Sequence, residues 1–358
     1  MWITTIKKSV FLIRFFAIIT LFLISLLFYF ISQKLFKNKF SGIISSLAFI
    51  IAQTSAFAIW GAFTPYLMFF TMISVFLFLY KKIILKFLFI GIFSSLAFIV
   101  HQSGIIIFLS FFLISIKDIK KLSLMIIGFS LPLIIITLIF YEELPYIIQS
   151  LFLVLKTSSM TLIHKAGSCL KVMWFTSAFY VLSVIGLTKT FKKFMFKSDD
   201  INLFYSWLSM SFLYFLISPS FSNVHTIHFI APLSIFIGRL NKNFFKKIDT
   251  IIIIVILTLF SLTGHFIRYQ EIVNTENYYR EIGEYIESAT KPSDKIFINL
   301  TWRPTQIFLY SNRESSSRCI ETEMRRKAAG ISIGDPDYIL DFLPSKYILV
   351  PVNKSISQ

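Results

Sequence analysis

The chain has 358 residues, of which 56% are hydrophobic and only 15% are charged, with 43 phenylalanines among them. A soluble domain cannot bury apolar surface on that scale, so the composition excludes a soluble globular protein and indicates a polytopic α-helical membrane protein. The net charge of +17 would suit a nucleic-acid-binding protein, but the lysines lie in short clusters between apolar runs, a pattern of membrane topology that excludes nucleic acid as a partner.

Ten apolar segments along the chain predict about ten transmembrane helices. Helix is the expected state, because an open strand cannot satisfy its backbone hydrogen bonds in lipid. About 20 residues cross a bilayer as a helix, and the fifth and ninth segments are shorter, which tilt or shielding by neighbouring helices accommodates. The segments are 12–32, 41–60, 64–80, 86–100, 103–116, 122–140, 172–188, 201–217, 226–239 and 249–267.

Basic clusters follow every odd-numbered segment, whereas the turns after the second, fourth and eighth segments have none. Cationic loops stay in the cytoplasm, so the sequence predicts a multi-pass protein of the cytoplasmic (inner) membrane. The turn at 101–104, the segment 141–171 and the N-terminus are then placed on the outer face. The clusters are Lys34, Lys37, Lys39; Lys81, Lys82, Lys86; Lys117, Lys120, Lys121; Lys189, Lys192, Lys193, Lys197; and Arg239, Lys242, Lys246, Lys247.

The C-terminal part of the chain differs in composition from the rest. We predict a transmembrane domain over 1–269 and a small extracytoplasmic α/β domain over 270–358. An amphipathic helix is predicted at its start, with Tyr278, Ile282, Tyr285 and Ile286 on one face. KIFINL and SKYILVPV are predicted strands, and RPTQIFLYSNR is predicted to form a short helix and a turn.

Four stretches in this order carry a resemblance to a known family: IRFFAIITLFLISLLFYFISQKLFKNKFSGIISSLAFII, FLFIGIFSSLAFIVHQSGIIIFLSFFLISI, SPSFSNVHTIHFIAPLSIFIGRL and YREIGEYIESATKPSDKIFINLTWRPTQIFLYSNRESSSR. Together they resemble the membrane glycosyltransferases of family 39 and their bacterial relatives, which include the aminoarabinose transferases of lipid A. The likeness covers most of 9–318. Polysaccharide polymerases of the EpsG type have a similar corner after a basic turn, and they remain an alternative.

The resemblance implies a GT-C fold and transfer of a sugar from a polyprenyl-phosphate donor at the outer face of the membrane. The acceptor would be an envelope glycan such as lipopolysaccharide, a lipid or a protein, with membrane lipid around the enzyme. In the family the catalytic acid lies in the first outer loop, and this chain begins at what resembles the second span. A split product, another acid or a non-catalytic membrane protein are therefore open alternatives.

Transfer of this kind needs a carboxylate for the acceptor and donors for the leaving phosphate. Glu142 and Glu143 are the acids of the predicted outer loop and the candidate catalytic residues. At the outer corner, where relatives often have a lysine, we assign His101 and Gln102 to the donor phosphate. The alternative is that these two side chains cap helix ends at a turn.

Four further residues are candidates for binding the donor. His225 and His228 are three positions apart and so share a helical face, and the resemblance implies that His228 contacts lipid phosphate or sugar. Lys165 lies in the predicted interfacial segment 141–171, and Arg313 resembles the family's tail arginine. No cofactor is predicted. A divalent metal lacks a third ligand near the histidines, and two cysteines in the whole chain suit no metal site.

Overall fold

The structure is a computed structural model. It describes residues 10–53, 64–80, 83–142, 161–194, 199–218, 223–240, 244 and 248–292, together with short stretches at 295–297, 310–312, 314–315 and 346–347.

The described residues form eleven α-helices and two 3₁₀ turns. In chain order the helices are α1 (Val10–Phe36), α2 (Lys39–Gln53), α3 (Thr64–Tyr80), α4 (Lys86–Val100), α5 (Ile105–Ser115), α6 (Ile119–Ile139), α7 (Leu162–Phe175), α8 (Ser177–Phe194), α9 (Asp199–Ile217), α10 (Ile227–Ile237) and α11 (Ile248–Ala289). The 3₁₀ turns are Gln102–Gly104, directly before α5, and Asn223–Thr226, directly before α10. All ten predicted apolar segments are thus mainly helical where they are described.

Three of the described helices are long and apolar enough to cross a membrane, at Phe15–Phe36, Ile119–Ile139 and Asp199–Ile217. A fourth candidate is the pair formed by α7 and α8, which bend by 95° at the break between them. Five further apolar helices have between 10 and 17 residues. These helices indicate a membrane protein, and the total of ten crossings stays a prediction.

Helix α6 shows how the apolar surface is divided between protein and lipid. Only Met125 and Gly128 of α6 are buried, whereas Ile127, Ile134 and Leu138 are more than half exposed. A soluble protein does not leave a helix-length apolar face uncovered. The exposed face of α6 is therefore suited to lipid, and its single buried stripe to the helix beside it.

That neighbouring helix is α4, and glycines bring the two backbones close together. A Cβ atom on Gly128 would lie 2.0 Å from the carbonyl oxygen of Leu88, and one on Gly91 would lie 2.2 Å from that of Met125. Close approach through small residues gives membrane helices the van der Waals contact that the hydrophobic effect cannot supply between them in lipid. The glycines therefore determine how α4 and α6 pack.

The core combines aromatic stacking with hydrogen bonds between helices. Phe28 of α1 stacks on Phe49 of α2 with ring centroids 4.3 Å apart. The buried hydroxyls of Ser32 and Ser45, on the same two helices, are 2.7 Å apart. Helix α10 is buried along almost its whole length and packs on α2, α8 and α9. His228 lies in the first turn of α10 and is therefore buried among these helices.

Two parts of the chain differ from the sequence prediction. The segment 141–171 was predicted to be an interfacial loop, but helix α7 begins at Leu162, where the hydroxyl of Thr161 accepts a hydrogen bond from the backbone N–H of His164. Residues 143–160 lie outside the described residues. The amphipathic helix near 270 is not a separate element, because α11 runs unbroken from the last apolar segment to Ala289.

The buried face of the C-terminal half of α11 also differs from the prediction. Tyr279 and Ile286 are buried, whereas Tyr278 and Tyr285 are 46% and 63% exposed. Gly283 lies on the buried face, and a Cβ atom there would meet Tyr310. The prediction of a helix was right. The buried tyrosine is Tyr279 rather than Tyr278, so the buried face is displaced by one residue there.

Three short strands follow α11. They are β1 (Lys295–Phe297), β2 (Glu314–Ser315) and β3 (Lys346–Tyr347), and they form a parallel sheet in the order β2-β1-β3. β1 and β3 fall within the predicted strands KIFINL and SKYILVPV. An α/β domain over all of 270–358 stays a prediction, because most of that range lies outside the described residues.

The chain divides into two compact units. The first contains the described residues between 11 and 142 and between 161 and 268, and the second contains Val10 and the described residues from Tyr269 onward. All the candidate site residues that the structure describes lie in the first unit.

Candidate functional site

Ser103 links two histidines. His101 lies two positions before it in the sequence, and His228 lies 125 positions after it. The Ser103 hydroxyl oxygen lies 2.8 Å from Nδ1 of His101 and 2.9 Å from Nε2 of His228. Ser103 and His228 are each only 1% exposed. We call His101, Ser103, His225 and His228 the histidine cluster.

Local structure determines where each member of the cluster lies. Helix α4 ends at Val100, and His101 adopts an extended backbone that turns the chain into the 3₁₀ turn. Gly104 ends that turn at a φ of −60°, so its role is to make room: a Cβ atom there would lie 2.4 Å from the Ala97 backbone. On the other side, the Ser211 hydroxyl of α9 donates to the backbone carbonyl of His228, at 3.1 Å.

The hydrogen bonds define the positions of the protons in the cluster. The backbone N–H of Ser103 donates to Nδ1 of His101 at 3.2 Å, so this nitrogen carries a lone pair and no proton. The Ser103 hydroxyl must then donate to the same nitrogen, which leaves its oxygen to accept from Nε2–H of His228. The result is a directed chain from His228 through Ser103 to His101.

One atom at the start of this chain of hydrogen bonds has no partner among the described residues. With the proton of His228 on Nε2, its Nδ1 is an acceptor, and this buried atom makes no hydrogen bond to any residue that the structure describes. Buried polar atoms are nearly always paired, so an isolated one needs an explanation such as a ligand or a water molecule. Nδ1 of His228 is therefore suited to accept a proton from a bound hydroxyl group.

His225 and Tyr214 surround the histidine pair. The ring of His225, which is 7% exposed, lies 5.2 Å from the ring of His101, centroid to centroid. Tyr214, near the end of α9, lies 5.9 Å from His225 and 6.5 Å from His228. Rings from three separate parts of the sequence, at 101, 214 and 225–228, thus pack together.

A buried lysine lies at the same end of α9. Lys165 of α7 is 5% exposed, and its ammonium group donates to the carbonyl oxygens of Phe215 and Leu216, at 3.3 and 3.2 Å. Carbonyl groups at a helix C-terminus attract cations. Tyr214, one residue before this carbonyl pair, contacts the histidine cluster, so Lys165 and two of the histidines all contact the C-terminal end of α9.

The surroundings keep His101 neutral. Burial, together with the smaller effect of the neighbouring His225, lowers the pKa of the His101 imidazole to about 3. The side chain therefore carries no charge at neutral pH. This agrees with a role as hydrogen-bond acceptor rather than as a permanent cation for phosphate.

The structure thus brings together three of the candidate residues, His101, His225 and His228, and places Lys165 against the C-terminal end of α9. Gln102 is half-buried in the 3₁₀ turn, and its side chain makes no hydrogen bond to a described residue. Glu142 is exposed in the turn after α6. No hydrogen bond or ion pair of the described residues joins Glu142 to the histidine cluster.

Two candidates, Glu143 and Arg313, lie outside the described residues, so their assignment stays a prediction. His101 also has the capping role proposed as the alternative, since its side chain accepts a hydrogen bond from the backbone N–H of Ser103 at the start of the 3₁₀ turn. The same imidazole also belongs to the chain of hydrogen bonds through Ser103. The structural and functional interpretations of His101 are compatible.

Sequence reasoning did not select Ser103 as a site residue, although it lies two positions after His101. A serine in an apolar run usually bonds to its own helix, as Ser110 does with the carbonyl of Ile106. The available signal was its place in the polar interruption HQSG, two positions after His101. As for metals, no group of three or more His, Cys, Asp or Glu side chains within the described part of the chain is arranged to hold an ion.

Comparison with known proteins yields no relative. No family model matches the sequence, and neither a curated protein nor a solved structure is significantly similar to it. The function must therefore be argued from the geometry of the histidine cluster and from the resemblance seen in the sequence.

Proposed function

We propose that the chain is a membrane glycosyltransferase that moves a sugar from a polyprenyl-phosphate donor to a hydroxyl group of a glycan, lipid or protein acceptor, at the outer face of the cytoplasmic membrane. One observation carries this function: a buried His–Ser–His chain whose first nitrogen, Nδ1 of His228, has no partner among the described residues. Such a chain can take a proton from an acceptor hydroxyl as the glycosidic bond forms.

The step balances as follows. The acceptor oxygen forms a bond to C1 of the sugar, and the bond between C1 and the phosphate oxygen breaks, with its electron pair leaving on polyprenyl phosphate. The acceptor proton passes to Nδ1 of His228, and the hydrogen bond from Nε2–H of His228 to Ser103, which in turn donates to His101, stabilises the imidazolium that forms. The positive charge formed on His228 accompanies the negative charge formed on the leaving phosphate.

Lys165 is the residue best suited to hold the phosphate. An ammonium group has three N–H donors, and two of them bind the carbonyl oxygens of Phe215 and Leu216. The third has no partner among the described residues and is assigned to the donor phosphate. Cationic groups that stabilise a leaving phosphate act most strongly where water is excluded, and Lys165 is buried.

The position of the cluster along the helices supports the proposed side of the membrane. The histidines lie at the C-terminal end of α4 and the N-terminal end of α10. Both turns lack lysine and arginine, whereas the opposite ends of these helices carry Lys86 and Arg239. By the positive-inside rule, the cluster is then extracytoplasmic, where a flipped lipid-linked sugar is presented.

The test is transfer by the purified full chain in nanodiscs, measured as release of polyprenyl phosphate from a labelled polyprenyl-phosphate sugar. A Ser103→Ala variant removes the hydroxyl that accepts the Nε2–H of His228, and we expect turnover to fall by about 10²-fold or more, in line with general-base catalysis. Lys165→Met should raise KM for the donor, because it removes the charge that binds the phosphate.

Each variant has a matched control on the same or a neighbouring helix. Ser234→Ala removes a buried hydroxyl of α10 that bonds only within its helix, and Lys171→Met removes an exposed lysine of α7. Both controls should keep wild-type turnover. Normal turnover in Ser103→Ala would refute the role of the His–Ser–His hydrogen bonds, and no release of polyprenyl phosphate by the wild-type chain would refute the transferase. Extension of a long glycan instead of single transfers would favour the polymerase alternative.

A further inference from the structure

A cleft of about 530 Å³ lies at the opposite end of the helical unit from the histidine cluster. It is lined by the C-terminal end of α1, the start of α2 and the last residue of α3, through Gln33, Lys34, Lys37, Asn38, Lys39 and Tyr80. We call it the lysine cleft. Three of its six lining residues are lysines and none is acidic, so the cleft attracts anions.

The positive charge of the cleft is not neutralised within the described part of the chain. Lys34, Lys37 and Lys39 are exposed, and none of them forms an ion pair with a described residue. Asp200 interacts electrostatically with Lys34 from beyond ion-pair distance. The lysines therefore leave room for an external anion as counter-ion.

Contacts within the protein hold one side of the cleft in place, mainly through Tyr80. The hydroxyl of Tyr80 donates to the carbonyl oxygen of Phe30 at 2.7 Å, and its ring stacks on Phe76 with centroids 4.4 Å apart. The ammonium group of Lys34 lies 5.4 Å from the centre of the Tyr80 ring. Tyr80 thus holds Lys34 at one wall, as cation–π contacts do.

The turn that carries the other two lysines costs free energy that an anion would offset. Lys37 has a φ of 53°, in the left-handed region where glycine is favoured. Lys39 lies in the first turn of α2, which has no acidic residue, and a helix N-terminus disfavours a cation. The oxygen of Asn38 accepts the backbone N–H of Phe40, which keeps the turn in this shape.

We infer that the lysine cleft binds the headgroup of an anionic phospholipid. The helix that forms one wall supplies the reason for choosing a lipid over a free anion: α1 exposes large apolar side chains towards the same surroundings, with Phe30 43% exposed one turn before Lys34. An acyl chain lies along such a surface while the phosphate meets the lysines. Basic groups next to a membrane helix commonly recognise anionic lipids in this way.

The experiment is native mass spectrometry of the purified full chain titrated with phosphatidylglycerol or phosphatidylcholine. We expect preferential binding of phosphatidylglycerol. The double variant Lys37→Gln/Lys39→Gln should lower its affinity by about 30-fold, since each lysine near an anionic headgroup contributes roughly fivefold. The charge-matched control is Lys117→Gln/Lys120→Gln, which removes one exposed lysine from the turn before α6 and one from its first turn, and it should change the affinity little.

Three results would overturn the inference. They are equal affinity for the two lipids, an equal loss in both double variants, and complete displacement of the lipid by millimolar inorganic phosphate, which would identify a site for a free anion. Lys37→Arg/Lys39→Arg should retain binding and so separate lost charge from a folding defect. The inference is independent of the proposed sugar transfer, which is measured at the histidine cluster.

Discussion

At the scale of single residues, the main finding is that His101 has a structural and a chemical role in one side chain. It ends α4, opens the 3₁₀ turn and accepts the Ser103 hydroxyl. The backbone bond from Ser103 is what removes the choice of tautomer, because Nδ1 cannot both accept this N–H and carry a proton. A capping interaction thereby defines the direction in which the hydrogen bonds of the cluster run.

The low pKa of His101 predicts how stability depends on pH. A free histidine has a pKa near 6.5, and burial lowers that of His101 to about 3. Between these two values the unfolded chain binds a proton that the folded chain does not, so stability falls as the pH falls. We expect the thermal midpoint of the purified chain, followed by tryptophan fluorescence, to drop between about pH 7 and pH 4.

The His101→Asn variant is the comparison for this effect. Its side-chain oxygen can still accept the N–H of Ser103, but it does not titrate. The drop in midpoint should therefore be smaller than in the wild-type chain. An identical pH dependence in both proteins would mean that His101 is not the group responsible.

At the scale of elements, small residues decide which helices pack together. Gly91 and Gly128 allow the backbones of α4 and α6 to approach until no Cβ atom would fit. Apolar periodicity predicts both helices but is silent on this contact, because nearly every residue of either helix is apolar and offers no distinct face. The pairing depends on shape, which a hydropathy pattern does not encode.

Gly128→Ala tests this contact. The added methyl group would lie 2.0 Å from the carbonyl oxygen of Leu88, so the helices must separate, and overpacking of this kind costs about 1–3 kcal/mol. The control is Gly167→Ala in α7, where a Cβ atom would meet no described atom within 4 Å and helix propensity favours alanine by roughly 1 kcal/mol. Thermal unfolding in detergent should show a lower midpoint for the first variant only. Equal midpoints would contradict the packing described for α4 and α6.

The elements also show why sequence reasoning misplaced parts of the chain. The first ten residues of helix α7, 162–171, were predicted to lie in the outer loop, and this polar part of the chain includes His164 and Lys165. In the structure Thr161 caps the helix and Lys165 is bound to α9. The polar side chain of Lys165 was expected to face water, but in the structure it is buried and donates hydrogen bonds to carbonyl groups of α9.

At the scale of the whole molecule, the first unit has two chemically different ends. The histidine cluster lies at one end of α4, and Lys86 lies at the other, donating to the carbonyl oxygen of Phe78. The lysine cleft includes Tyr80, the last residue of α3, and so lies on the side of Lys86. This separation agrees with the orientation expected from the basic clusters.

Labelling of single cysteines tests that orientation. In a chain with Cys169→Ser and Cys319→Ser, we expect Gln102→Cys to react with a membrane-impermeant maleimide in intact cells. Asn38→Cys should react only after the cells are permeabilised, because its turn is predicted to be cytoplasmic. Labelling of Asn38→Cys in intact cells would reverse the orientation and remove the lipid-linked donor from the proposed site.

The apolar helices, the approximate ends of most of them and the basic turns are predictable from the amino-acid sequence. These properties are sums over neighbouring residues, so they can be read along the chain. The contact of His228 with a serine 125 positions earlier and the burial of Lys165 against α9 are visible only in the folded arrangement of the helices. Such contacts depend on which helices pack together, and that choice rests on close backbone approach and individual hydrogen bonds rather than on hydropathy.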